Sequence, residues 1–151
     1  MSDILITETI RAAMKAAMKA RDKERLGAIR LMQSEFKRIE VDERIEIDDA
    51  RALVILDKMI KQRRDSAQQY HAAERPELAA REEQEIAVIQ EFLPTQLSTE
   101  ELDAMIDAAI AHAGGTGMQA MGAVMAELKP QLQGRADAGA VSKLVKARLT
   151  A

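Results

Sequence analysis

Apolar residues recur along almost the whole chain at the three- and four-residue spacing of an amphipathic helix. Near the start, the spacing predicts a helix over about 3–19 with one apolar face, formed by Ile6, Ile10, Ala13, Met14 and Ala17. No segment alternates with period two convincingly, and the stretch IEID at 45–48 is too short to predict a strand. The pattern therefore predicts an all-α fold.

Capping and helix-breaking residues divide this pattern into seven helices. Asp22 and Asp48 are placed to cap the second and third helices, which run to about 41 and about 71. Pro76 is placed in the first turn of a fourth helix that runs to about 92. Thr116 and Gln119 can form a capping box for the sixth helix, after the glycine-rich stretch AGGTG.

The stretch LPTQLSTEEL marks the clearest boundary in the chain. Pro94 ends the fourth helix because proline cannot continue the backbone hydrogen-bond ladder. Ser98 and Glu101 match the S-x-x-E capping box that starts a helix. The sequence thus predicts a long N-terminal domain of about four helices, residues 1–93, and a C-terminal three-helix bundle, residues 98–151.

The residue types present argue against catalysis. The chain has 151 residues and no cysteine, which excludes a disulfide, a thiolate metal site and a cysteine nucleophile. Its two histidines, His71 and His112, each lie near a helix end, where a solvated or C-capping role is expected. No H-E-x-x-H, G-x-S-x-G, P-loop or G-x-G-x-x-G motif occurs. We therefore expect no catalytic residue, no metal site and no cofactor.

The sequence also predicts a cytoplasmic protein with no membrane partner. The first turn carries Asp3 and Glu8 and lacks the basic start and cleavage site of a secretory signal. No apolar run approaches the roughly 18–20 residues that span a bilayer.

Charge is unevenly distributed along the chain. The net charge is −3, yet residues 74–107 hold two basic and ten acidic groups, whereas residues 128–151 hold five basic and one acidic. Contact with nucleic-acid phosphates needs local positive charge. The basic C-terminal stretch is therefore the part of the chain that favours such contact.

The stretch KQRRDS places two arginines in the apolar stripe of the third helix. Arg63 and Arg64 fall within or beside that stripe, and Glu82 and Glu85 lie on the apolar side of the fourth helix. Charges that leave water need partners. The pattern predicts that Arg63 or Arg64 pairs with Glu82 or Glu85 across the two helices, with a polyanion contact as the alternative.

The stretch GRADAG has two interpretations. Gly134 allows a turn and Asp137 can cap a seventh helix over about 138–149, which explains the stretch as a corner. The same corner presents a helix N-terminus beside Arg135, with Lys143 on the exposed side of the helix, and such N-termini favour phosphate. Asp137, if it caps, competes for the same N–H groups.

Five stretches together carry a resemblance to a known family: MKAAMKARDKERLGAIRL, KQRRDSA, EFLPTQLSTEEL, MGAVM and GRADAGAV. Over essentially its whole length the chain resembles the YqeY-like family, small bacterial proteins that share a tail-like domain with the B subunit of the glutamyl/aspartyl-tRNA amidotransferase. Gly134, Arg135 and Asp137 match the family's glycine–basic–x–Asp/Asn turn, and Gly122 matches a small packing residue. The resemblance implies a bacterial, all-helical protein.

That resemblance implies a non-catalytic helical module associated with tRNA or with tRNA-dependent amidotransferase-type enzymes. The expected partners are tRNA or a tRNA-processing or aminoacylation-related protein, and the contact is expected to be with the RNA backbone. The candidate nucleic-acid-binding residues are Lys129, Gly134, Arg135, Lys143, Lys146 and Arg148.

Two alternatives stay open. One is a protein-interaction adaptor, in which the N-terminal helices offer an adaptable apolar surface containing Met14, Met18, Met32 and Met59, unless those methionines simply fill the core. The other is an accessory part of a carbon–nitrogen ligase with glutamine as amido donor. That label follows from the resemblance alone, because the sequence contains no catalytic group for it.

Overall fold

The chain is all-α, as predicted, in a computed structural model that describes residues 4–115 and 117–151. No strand occurs within those two ranges. The helices are α1 (Leu5–Ala20), α2 (Lys23–Glu43), α3 (Asp49–Ala72), α4 (Pro76–Gln90), α5 (Thr99–Ala113), α6 (Met121–Leu132) and α7 (Ala138–Leu149), with a 3₁₀ turn at Met118–Ala120 before α6.

Most helix starts lie where the capping residues predict them. The side chains of Asp22 and Asp48 each accept a hydrogen bond from the backbone N–H three residues further on, at 3.2 and 2.8 Å. Ser98 and Glu101 form both arms of the predicted capping box, at 3.1 and 3.5 Å. Asp137 caps α7. Each cap satisfies a backbone donor that the helix leaves free, so local chemistry is sufficient to set these starts.

The start of α6 differs from the prediction. The expected capping box includes Thr116, which lies outside the described residues, and the regular helix begins later, at Met121. Gly117, with φ 83°, precedes the 3₁₀ turn. Only glycine adopts such a backbone angle readily. A glycine-controlled turn therefore precedes α6.

Backbone contacts divide the chain into two compact units, Met1–Leu93 and Pro94–Ala151. In the first unit α3 and α4 form the most extensive helix pair, and α1 and α2 complete the bundle. Its buried side chains form one cluster, which includes Ile10, Ile29, Met32, Leu56, Met59 and Ile89. The second unit has its own cluster, which includes Ile106, Val124, Leu128, Leu132, Val141 and Val145.

Candidate nucleic-acid interface

The GRADAG corner joins α6 to α7 through a left-handed turn. Gly134 is buried and has φ 74°, a conformation that a side chain would strain. The Nε2 group of Gln96 donates a hydrogen bond to the carbonyl of Gly134 at 2.9 Å, and the N–H of Leu97 donates to the carbonyl of Arg135 at 2.9 Å. The corner is thereby fixed to the segment that leads into α5.

The Arg135 side chain strengthens the same attachment. Its Nε donates to the carbonyl of Thr95 at 3.1 Å, and its Nη2 lies 3.8 Å from Oε2 of Glu101. The guanidinium is thus already engaged on one edge with groups of its own unit. This arrangement favours the interpretation of GRADAG as a structural corner, in which Arg135 is a fixed part of the turn.

Asp137 occupies the N-terminus of α7. Its Oδ1 accepts a hydrogen bond from the N–H of Gly139 at 3.2 Å. A carboxylate at this position uses the donors that a phosphate would need, and it repels a second anion. The N-terminus of α7 is therefore a capped helix end.

Arg148 is bound to α5. Its Nη1 donates to the carbonyl of Asp103 at 3.2 Å, and its guanidinium also forms ion pairs with the carboxylates of Asp103 and Asp107. The planar guanidinium suits such multiple contacts. The expectation that Arg148 contacts phosphate conflicts with this arrangement, since its charge is already balanced by two carboxylates. Asp103 and Asp107 lie four residues apart on one helix face, a signal that the sequence analysis missed.

Lys129, Lys143 and Lys146 remain available. All three are exposed, and none lies within 4.0 Å of a carboxylate oxygen in the part of the chain that the structure describes. Lys143 and Lys146 project from α7 about 60° apart, away from its buried residues Val141 and Val145. Three free ammonium groups therefore mark the outer side of α6 and α7.

Arg63 and Glu85 form an ion pair between α3 and α4. Nε of Arg63 lies 2.9 Å from Oε2 of Glu85, and the two side chains are only 15% and 14% exposed. A second nitrogen of the guanidinium, Nη1, donates to the carbonyl of Met59 at 3.2 Å. The pair lies in the seam between α3 and α4, by which we mean the interface of these two helices, and no other helix pair of the first unit has a more extensive contact.

Arg64 and Glu82 do not join this pair. Arg64 is exposed and Glu82 is half-buried, and neither takes part in an ion pair among the described residues. On the α3 wheel, the buried residues centre close to the direction of Arg63, whereas Arg64 lies about 100° from it. Arg63 therefore enters the seam and Arg64 reaches solvent.

Each histidine pairs with a glutamate of a neighbouring helix. Nε2 of His71 in α3 lies 2.7 Å from Oε1 of Glu83 in α4, and Nδ1 of His112 in α5 lies 2.7 Å from Oε1 of Glu127 in α6. Both pairs lie on exposed surface.

Among the described residues, no three His, Asp or Glu side chains cluster closely enough to hold a metal ion. No described helix is both long and apolar enough to cross a membrane.

The four methionines of the adaptor interpretation occupy different environments. Met32 and Met59 are buried in the core of the first unit, and Met14 packs against that core. Met18 is 50% exposed. An apolar surface built from all four methionines is therefore not present in the first unit.

Glu35 has a lowered pKa on the surface of the first unit. The cause is a hydrogen bond from the Arg38 guanidinium, aided by the positive charges of Arg38 and Lys58. A carboxyl with a lowered folded-state pKa stabilises the fold above its unfolded pKa, and loses that contribution as pH falls through the folded value.

We expect Glu35→Gln to lower the urea midpoint slightly at pH 7 and by a smaller amount near pH 3, because falling pH protonates the glutamate and removes the same charge. Urea unfolding at both pH values measures this. Glu46→Gln, at an exposed glutamate without an ion pair among the described residues, is the control and should change neither midpoint. A loss of equal size at both pH values would assign the role of Glu35 to packing.

Comparison with known proteins gives a family and several relatives. The sequence model of the family described as "Yqey-like protein" matches residues 7–149. A protein of Vanderwaltozyma polyspora named "Altered inheritance of mitochondria protein 41, mitochondrial" is 35% identical over 97 residues, which cover 62% of this chain and 52% of the relative. The chain thus spans about half the length of that relative.

Two further relatives are similar. An uncharacterized protein of Schizosaccharomyces pombe is 32% identical over 89 residues, 59% of this chain and 72% of the relative. A protein of Pyrenophora tritici-repentis with the same name as the first is 25% identical over 146 residues, 94% of this chain and 80% of the relative. The expectation of a bacterial protein is wrong by this comparison, because these relatives are eukaryotic and two are named mitochondrial. The cytoplasmic location stays a prediction.

Proposed function

The chain belongs to the YqeY-like family, and on that premise we propose that it is a non-catalytic helical module that binds the phosphate backbone of tRNA. The binding surface is the outer side of α6 and α7 in the C-terminal unit. Association with a tRNA-dependent amidotransferase-type enzyme, or with another tRNA-processing protein, is part of the same proposal.

The observation that carries this proposal is a difference among the five basic residues of the C-terminal unit: within the described structure, the arginines are engaged in contacts and the lysines are not. The two arginines of the unit, Arg135 and Arg148, bind groups of their own unit. Lys129, Lys143 and Lys146 are exposed and have no carboxylate partner among the described residues. Ammonium groups on flexible stems suit phosphate as point charges.

Backbone contact fits the composition better than base contact. Proteins that read single-stranded RNA stack bases on aromatic rings. The chain has one tyrosine, two phenylalanines and no tryptophan, and the C-terminal unit contains none of these. This surface can therefore recognise RNA by the shape and charge of its backbone.

We expect Lys143→Ala/Lys146→Ala to weaken the binding of bulk tRNA about ten-fold at low salt, because each neutralised phosphate releases counterions. The slope of log K against log salt concentration should become shallower by about one for each lysine. Filter binding at several salt concentrations measures both quantities.

The matched control for that variant is Lys58→Ala/Lys61→Ala. These two lysines are also three residues apart and exposed on a helix, but they lie on α3 in the other unit. Equal weakening by both variants would show that any lost charge has the same effect. Binding of wild-type protein that does not depend on salt would count against a phosphate contact.

A protein-interaction adaptor is the second candidate function, and a groove between α2 and α4 favours it. Gly27, Ala28, Leu31 and Ala80 line the apolar part of this groove, and Leu31 is 43% exposed there. No described group favours the third candidate, an accessory role in a carbon–nitrogen ligase, and it continues to rest on the family association.

A further inference from the structure

The hairpin of α1 and α2 concentrates positive charge that the binding surface of the C-terminal unit does not include. Residues 11–37 contain eight basic and three acidic side chains, a net charge of +5, in a chain whose total is −3. Charge of this density on an acidic protein repels itself, and it favours an anionic partner.

Seven of those eight cations are exposed, and none of the seven lies within 4.0 Å of a carboxylate oxygen in residues 4–115 and 117–151. They are Arg11, Lys15, Lys19, Arg21, Lys23, Arg30 and Lys37. We call them the hairpin cations. The eighth, Arg25, pairs with Glu91.

The three acidic residues of the stretch 11–37 compensate little of this charge. Asp22 caps α2, and Glu35 pairs with Arg38, which lies just beyond the hairpin cations. Glu24 is the exposed carboxylate that remains in this stretch. Elsewhere in the described chain most arginines lie within 4.0 Å of a carboxylate oxygen, whereas in residues 11–37 only Arg25 does. The contrast applies to the arginines, because the described lysines outside the hairpin are also without ion pairs.

Six of the seven hairpin cations form two rows that point away from the core, and the seventh, Arg21, is the C-cap residue of α1. On α1, Arg11, Lys15 and Lys19 repeat every four residues, which places them along one side of the helix over about 12 Å. The buried residues of the same helix, Ile10 and Ala17, lie on the opposite side. The row therefore projects into solvent from a face that the core holds in place.

The second row has the same relation to α2. Lys23, Arg30 and Lys37 repeat every seven residues, or nearly two full turns, and span about 21 Å of the helix. The buried side chains Ala28, Met32 and Ile39 lie on the opposite side. Packed helix axes lie about 8–10 Å apart, so the two rows run side by side on the hairpin. Lys23, at the start of the second row, also lines the groove between α2 and α4.

One groove is lined by a cation from each row. Arg11 of α1 and Lys37 of α2 both line it, together with Thr7, Gln33 and the acidic Glu40. Hydroxyl, amide and guanidinium donors thus face the same groove as the lysine. This combination of donors is the one that proteins use on nucleic-acid phosphates.

We propose that the hairpin cations are a second contact surface for the phosphate backbone of structured RNA. This inference rests on the proposed function, and it adds the first unit to the RNA interface. A repeating phosphodiester supplies anions along the length of both rows. Rigid helices fix the backbone positions of the cations, so binding has to order only their side chains.

An anionic membrane is the weaker match for the same charges. A helix that binds at a membrane surface inserts an apolar face into the lipid. The apolar faces of α1 and α2 are buried in the core of the unit. The exposed large apolar side chains of the two helices, Leu5, Met18, Leu31 and Val41, lie ten or more residues apart along the chain and form no continuous apolar face for insertion.

The test uses the full chain, bulk tRNA as the probe, and three variants that each lose two exposed lysines. Lys15→Ala/Lys37→Ala removes one cation from each row of the hairpin. Lys143→Ala/Lys146→Ala removes two from α7, and Lys58→Ala/Lys61→Ala is the control on α3. We expect the hairpin variant to bind about ten-fold more weakly than wild type at low salt, with a salt slope shallower by about two. The control should bind as wild type does.

Each outcome separates the two proposals. If the hairpin variant loses affinity and the α7 variant does not, the hairpin surface stands and the proposed α6–α7 surface fails. If the hairpin variant binds tRNA like the control, the hairpin proposal is overturned, whatever the α7 variant does. Wild-type binding to vesicles of phosphatidylglycerol and phosphatidylcholine without binding to tRNA would overturn both proposals and assign the cations to lipid.

Discussion

Arg63→Ala is expected to lower the free energy of unfolding of the first unit by about 2 kcal/mol, somewhat less than the loss that follows removal of one partner from a fully buried ion pair, because this pair is partly buried. The variant removes the guanidinium that partners the carboxylate of Glu85, whose side chain is only 14% exposed in the intact pair. It also removes the hydrogen bond to the carbonyl of Met59. Urea unfolding followed by circular dichroism measures the loss.

Two further variants identify the cause of that loss. Arg64→Ala makes the same chemical change one residue away, at an exposed side chain, and should alter stability by less than about 0.5 kcal/mol. Arg63→Met/Glu85→Leu removes both charges and should recover most of the stability, because apolar pairs of similar volume replace buried ion pairs at little cost. A double variant as unstable as Arg63→Ala would show that the lost packing of Arg63, and not the unpaired charge, is responsible.

This ion pair also shows how far a helical wheel can predict a contact. The apolar spacing placed two arginines on or beside the stripe of the third helix, and two glutamates on the apolar side of the fourth. Which arginine enters the seam depends on the direction in which α3 faces α4. That direction is set by the packing of both helices. The structure brings Arg63 and Glu85 together, a choice that the wheel alone left open.

Helix starts were predictable because their causes are local. Asp22, Asp48, Ser98 and Asp137 each satisfy backbone N–H groups within three residues. Such contacts need no information from the rest of the fold. The start of α6 was missed because a 3₁₀ turn precedes it, and a capping pattern does not distinguish a 3₁₀ turn from the first turn of an α-helix.

The availability of each basic residue could not be predicted in the same way. Arg148 was a candidate nucleic-acid-binding residue, yet in the structure it binds Asp103 and Asp107 from a different helix. Conversely, the net charge of α1 and α2 taken as a whole conceals their free cations. Acidic residues such as Glu8 and Glu40, which lie outside residues 11–37, offset these cations in the sum. Net charge counts residues along the chain, whereas phosphate binding depends on which charges remain free in space.

Leu128→Ala is expected to lower the stability of the second unit by about 3 kcal/mol. Its side chain is fully buried in the cluster of α5, α6 and α7. Removal of a buried leucine side chain costs the transfer free energy of the lost carbons together with the cost of the cavity left behind, about 2–5 kcal/mol in total. Hydrogen exchange of backbone amides, resolved by unit, measures the effect. Leu144→Ala, on the exposed side of α7 in the same unit, is the matched control and should change exchange little.

The location of that loss distinguishes two kinds of unfolding. The buried clusters of the two units share no residue, so amides of α5, α6 and α7 should exchange faster while those of α3 and α4 keep their protection. A unit of about 60 residues buries a smaller fraction of its surface and is marginally stable, so a loss of about 3 kcal/mol removes much of its margin. Equal acceleration in both units would instead mean that the chain unfolds as one cooperative body. In that case, a loss of tRNA affinity in a destabilised variant could not be assigned to one surface. The lysine variants leave both buried clusters intact, and they would then be the valid test of the RNA interface.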